Sequence, residues 1–103
     1  SWNNIVKNIV NHLPNKVYIS FDIDGLDTNL CPNTGTPVPG GLSFNQALFI
    51  IESICNSGKQ IIGFDLSEVN PSINKNDKWD AIVGARLLYE LCMLTAYSNV
   101  KSK

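Results

Sequence analysis

Two short apolar runs, Val17 to Phe21 (VYISF) and Ile61 to Leu66 (IIGFDL), constrain this chain more than anything else in it. Each has the length of a strand, is rich in β-branched and aromatic residues, and is nearly apolar on both faces. That is the pattern of a strand buried on both sides of a parallel sheet. Between them, Ser43 followed by Gln46 makes a capping box ahead of AlaLeuPheIleIle, and Gly58 stands at a helix C-cap position. This spacing predicts a helix over 44–57. Two strands joined through a helix form a βαβ unit, whose crossover is right-handed and whose strands are parallel. Ile5, Val6, Ile9, Val10 and Leu13 predict a first helix over 2–13, ended by Pro14. Asp77 is expected to cap a last helix over 78–98 that turns Trp79, Ile82, Val83, Leu87, Leu88, Leu91 and Leu94 toward the sheet. Trp79, Tyr89 and Phe49 are expected in the core.

Two strands are too few for a stable sheet in water. The chain has 103 residues, begins with Ser1, and carries Met93 as its one methionine. It is therefore expected to be a fragment of one larger α/β domain, a βαβ unit with flanking helices that lacks the N-terminal part of the same domain. Eight Lys and Arg balance nine Asp and Glu with no basic stripe, which argues against nucleic acid and anionic membranes as partners. The most apolar stretch, 81–97, contains Arg86 and Glu90 and is too short to cross a bilayer. No signal peptide pattern opens the chain. Cys31, Cys55 and Cys92 form no CxxC pair and are odd in number, as expected of reduced thiols in a cytoplasmic protein.

The residues able to do chemistry gather where the strands end. Asp22, Asp24 and Asp27 lie in FDIDGLD, and in an extended segment Asp22 and Asp24 point to the same side. Open α/β sheets bind ligands at the carboxyl ends of their strands, and two anions there call for a cation. Glu68 follows the second strand in the same position, so parallel strands would face three carboxylates into one crevice. Asp65 reads as a satisfied buried acid, bonded to a histidine or to backbone in a supporting role. The plain alternative is a set of solvated loop carboxylates that cap turns. An EF-hand fails on spacing, because Leu26 and Asp27 hold its fifth and sixth positions. No glycine-rich phosphate loop occurs. FDIDGL does resemble the motif of haloacid dehalogenase-like phosphatases, with Asp22 as nucleophile, Asp24 as general acid/base and magnesium as the metal. Leu26 there replaces the motif's threonine.

Three motifs in order, SFDIDGLD (20–27), TGTPVPGGL (34–42) and EVNPS (68–72), resemble signatures of the ureohydrolase family, the arginases and agmatinases. The resemblance spans about Lys16 to Cys92 and corresponds to the C-terminal portion of a full-length member, so that 1–103 is part of a single ureohydrolase domain. It implies a three-layer α/β/α sandwich with a parallel sheet and a binuclear manganese site that hydrolyses a guanidino compound, agmatine or arginine, to urea and an amine. Asp22 matches the aspartate that bridges both metals, and Asp24 the one that chelates the second. Manganese suits carboxylate ligands, and two metals roughly 3.5 to 4 Å apart activate water at neutral pH. Glu68 matches the residue that pairs with the substrate guanidinium, a planar cation whose donor fork fits a carboxylate. Thr36 matches a threonine near that guanidinium. Gly35, Pro37 and Gly40 would shape the loop.

The departures carry information as well. The family's metal-binding histidines and its Asp-x-His-x-Asp motif have no counterpart here. His12 is the sole histidine and reads as a helix-end surface residue. Two carboxylates cannot hold two manganese ions, so this chain holds no catalytic residue beyond its metal ligands and is expected to be inactive alone. Thr28 stands where the family often has proline. The ending RLLYELC (86–92) resembles agmatinases more than arginases, which implies polyamine metabolism and, for the full-length protein, a homo-oligomer. Cys31 could bring sulfur near the crevice but has no partner for a reactive role. A non-catalytic ureohydrolase-like assembly subunit is the remaining alternative.

Overall fold

Ser43 does what its spacing predicts. Its hydroxyl accepts from the Gln46 amide at 3.0 Å while Gln46 accepts from the Ser43 amide at 2.9 Å, closing the capping box that starts α2 (Phe44–Asn56). Gly58 follows with a φ of 86°, the left-handed turn that a residue without Cβ adopts freely. The computed structural model describes residues 1–101. Ahead of α2 come α1 (Trp2–Asn11) and β1 (Lys16–Asp22); after it come β2 (Gln60–Ser67) and α3 (Trp79–Lys101). α1 stops at Asn11, two residues short of expectation, with His12 as its C-cap and the His12 ring bonded to the Asn8 carbonyl. Lys78 is the residue before α3, its carbonyl taking the first helical bond from Ile82, and Asp77, one residue earlier than a cap, accepts from the Trp79 amide at 3.1 Å. Short 3-10 turns at Ile23–Gly25 and Thr28–Leu30 break the long loop after β1.

β1 and β2 pair in parallel from Lys16 opposite Gln60 to Asp22 opposite Ser67. One irregularity leaves Ile62 as the extra residue, since Val17 faces Ile61 and Tyr18 faces Gly63. Val6 and Val10 of α1, Ile51, Ile54 and Cys55 of α2, and Leu91 of α3 form one core with Val17 and Ile61. All three helices therefore cover the same face of the sheet. The opposite face is open among the described residues, with Tyr18 56% and Ile62 58% exposed. This differs from the expectation of strands apolar on both sides: most of their apolar residues lie on the helix-covered face, and the open face carries Ser20, Asp22 and Asp65.

The last helix also departs from expectation. Val83, Leu87 and Leu91 are buried, with Leu94 partly so, whereas Trp79 (46%), Ile82, Leu88 and Tyr89 (61%) are exposed. A helix apolar all round offers more than one candidate stripe, and the row at 83, 87, 91 and 94 meets the core. Trp79 and Tyr89 are thus not core residues, and Phe49 only packs against the core's margin. Near its end α3 ties down β2: the Ile61 amide donates to Ser98 Oγ at 3.0 Å, and Asn99 Nδ2 donates to the Ile61 carbonyl at 2.9 Å. Among the described residues no helix is long and apolar enough to cross a membrane.

Candidate active site

Because β1 and β2 end in register, the loops they feed leave the sheet side by side, Asp22 opposite Ser67 and Glu68 next in line. The common side of Asp22 and Asp24 has a different origin from the one expected. β1 stops at Asp22, and Asp24 sits in the 3-10 turn Ile23–Gly25, so the alternation of an extended strand does not relate them. Both still line one open groove of about 460 Å³, together with Ser20, Gly25, Leu26 and Leu42. Buried Ile23 anchors the turn between them in the second core cluster, beside Leu26, Cys31, Ala47, Val83 and Leu87. Leu42 closes the loop back on its start: the Asp27 amide donates to the Leu42 carbonyl at 2.8 Å, and the Leu42 amide to the Gly25 carbonyl at 3.0 Å. Gly41 permits this approach, since a Cβ there would run into the Leu26 carbonyl.

The threonines of TGT tie the two loops together. Thr36 Oγ1 donates to the Asp24 carboxylate. Thr34 Oγ1 donates to the Glu68 backbone carbonyl at 3.1 Å. Thr36 thus serves a candidate metal ligand directly, where the resemblance placed it beside the substrate. Thr34 escaped sequence reasoning, although the doubled threonine was its signal. Of the loop residues assigned a shaping role, Gly40 has positive φ (76°), whereas Gly35 does not. Glu68 has a φ of 69° and is the one non-glycine residue with positive φ among those described. A glutamate in the left-handed region costs about 1–2 kcal/mol, and such strain concentrates at working sites.

Asp22 and Asp24 line the groove, and among the described residues no group of three or more His, Cys, Asp or Glu comes together to hold a metal. Glu68 leaves the sheet on the neighbouring strand, and its backbone carbonyl accepts from Thr34 of the shared loop. Asp65 and Cys31 differ from expectation. Asp65 bonds neither histidine nor backbone: it accepts from Tyr18 Oη and Ser20 Oγ, each at 3.0 Å, on the open face of the sheet. That bond, with partial burial and the carboxylate's charge, pushes the Tyr18 phenol above its ordinary value. Cys31 is buried away from the groove and donates to the Ile23 carbonyl at 3.3 Å. Burial first, then the charges of Asp80, Asp24 and Asp27, push its thiol up, the opposite of what a nucleophile needs.

A model of the arginase family matches residues 1–94. The chain belongs to the arginase family, the ureohydrolases. It is 42% identical over 89 residues to an agmatinase of Neisseria meningitidis, an alignment that covers 86% of this chain and 27% of that protein. It is 49% identical over 59 residues to arginase-1 of Oryctolagus cuniculus, covering 57% of this chain and 18% of the relative. Proclavaminate amidino hydrolase from Streptomyces clavuligerus superposes with a TM-score of 0.81 at 28% identity, over 95% of this chain and 32% of that one. The chain thus has an α/β fold of the arginase kind and spans less than a third of the length of each of these proteins.

Proposed function

We propose that the protein hydrolyses a guanidino compound to urea and an amine with manganese as its metal, and that Asp22 and Asp24 are metal ligands while Glu68 and Thr36 serve the substrate side. The observation that carries this reading is the common strand end. Asp22 and Glu68 follow parallel strands that finish in register, Asp24 shares Asp22's groove, and the TGT threonines bond to both loops. The donor set fits part of a manganese site: two carboxylates on one groove are hard oxygen ligands of the kind manganese takes. They are too few for two ions, so the remaining ligands belong to the larger share of a ureohydrolase domain that this chain does not span. The metal supplies, when bound, Lewis acidity and water activation. Asp22 and Asp24 hold charge at the groove, Thr36 orients Asp24, and Glu68 orients the guanidinium by paired hydrogen bonds.

Agmatine, and with it polyamine metabolism, is the favoured substrate assignment. It draws support from the RLLYELC run within α3 and from the long alignment with the Neisseria meningitidis agmatinase. A homo-oligomer in the cytoplasm belongs to the same reading, and an odd number of cysteines with no CxxC pair suits that compartment. The phosphatase alternative has no observation in its favour beyond the FDIDGL run. Urea release by the whole protein from agmatine and from arginine, with manganese, tests the proposal. Urea from agmatine in preference is expected, with Glu68→Gln lowering kcat/KM by roughly 10- to 100-fold, the worth of a charged hydrogen bond. Phosphate release from a phosphomonoester with magnesium, and no urea, would overturn it. The 103-residue chain alone is expected to release none.

A further inference from the structure

Outside the residues already assigned, one buried charge stands out. Asp80, in the first turn of α3, is 2% exposed. Its Oδ2 accepts from the Asn33 amide at 3.0 Å and its Oδ1 from Asn33 Nδ2 at 3.1 Å. A carboxylate is costly to bury unless paired or well hydrogen-bonded, and here the partner is a single loop residue gripped at two points. Next to it, Trp79 Nε1 donates to the Asn29 carbonyl at 2.9 Å, so the first turn of α3 holds the loop after β1 twice. Asn33 is followed at once by Thr34, bonded to the Glu68 carbonyl, and then by Thr36, bonded to the Asp24 carboxylate.

We propose that Asp80 is a positioning residue: by clamping Asn33 it fixes the 33–36 segment, and through Thr34 and Thr36 it holds Glu68 in its left-handed conformation and Asp24 in its rotamer. The start of α3 packs on the loop after β1, and the clamp couples it to both halves of the site at once. This inference rests on the ureohydrolase reading above. It explains why a carboxylate is buried at a place where any good N-terminal helix residue would serve the helix. It also explains how an unfavourable backbone at Glu68 is held without glycine.

The test uses the whole protein and four variants. Asn33→Asp sets two carboxylates against each other; Asp80→Asn alone keeps both bonds, because the Asn33 amide can flip. The double variant Asn33→Asp with Asp80→Asn restores opposite polarity across the clamp. Thr34→Val cuts the link to Glu68 downstream and leaves the clamp intact. Two readouts are taken: hydrogen exchange of amides 33–36 and 68–70 in the metal-free protein, and KM against kcat for agmatine. In Asn33→Asp, exchange at both segments and KM should each rise about tenfold with kcat changing less, and the double variant should return both to wild type. Thr34→Val should raise KM similarly, and Asp80→Asn should not rescue it. Unchanged exchange at 68–70 in Asn33→Asp, or a KM that does not move while exchange does, overturns the positioning role. Should the wild type release no urea, the functional reading fails by itself, and exchange at 68–70 still decides whether the clamp reaches Glu68.

Discussion

The two faces of the same pair of strands have opposite characters. On one, Val17, Ile19 and Phe21 of β1 with Ile61, Phe64 and Leu66 of β2 lie under three helices. On the other, Tyr18 and Ser20 reach across to Asp65, and Asp22 ends the row at the groove. Strand alternation puts fold and chemistry on the same seven residues of β1, one residue apart. The covered face is bound by packing, where each deleted methylene is felt. The open face is bound by exposed hydrogen bonds, worth little to stability and free to be selected for what they hold.

Leu91→Ala should break the comparison most strongly. That side chain is fully buried where all three helices meet the sheet, and its truncation should cost about 2–5 kcal/mol in a denaturant titration of the whole protein. Manganese bound per folded molecule should stay unchanged. Glu68→Gly should separate the faces in the other direction. Removing the Cβ from a residue at φ 69° should raise stability by on the order of 1 kcal/mol, read by the same titration, while urea release falls with the lost guanidinium partner. A stability loss there would show that the Glu68 side chain supports the fold. The smallest effect belongs to Tyr18. Its hydrogen bond to Asp65 raises the phenol above its ordinary value of 10.0, so an ultraviolet titration should find it ionising late, and Asp65→Asn should bring it back. Because the folded value is the higher one, that bond's stabilisation is present below pH 10.0 and fades as pH rises through the raised value.

Most of the covered side was legible in the sequence, since local rules decide it. The capping box at Ser43 and Gln46, the C-cap at Gly58 and the β-branched runs each act over a few residues, and the elements they predict appear within one or two positions. What distance decides was less visible. Periodicity offers α3 several apolar stripes, and only packing selects 83, 87 and 91, leaving Trp79 and Tyr89 in solvent. Strand alternation does not relate Asp22 to Asp24, because a 3-10 turn replaces the strand directly after Asp22. The clamp of Asp80 on Asn33 joins residues 47 apart, and no local pattern announces it. Asp22, Asp24 and Glu68 are legible from their places at the strand ends, Thr36 only from the family resemblance, and the geometry adds which threonine touches which partner.

The central claim is that Asp22 and Asp24 hold manganese in the whole protein. Manganese content of the purified protein, measured by elemental analysis beside the double variant Asp22→Ala with Asp24→Ala, tests it most directly. The account predicts that the double variant folds, since Asp22 and Asp24 lie outside both cores, and that it loses its manganese together with all urea release. A folded double variant with wild-type manganese content would contradict it.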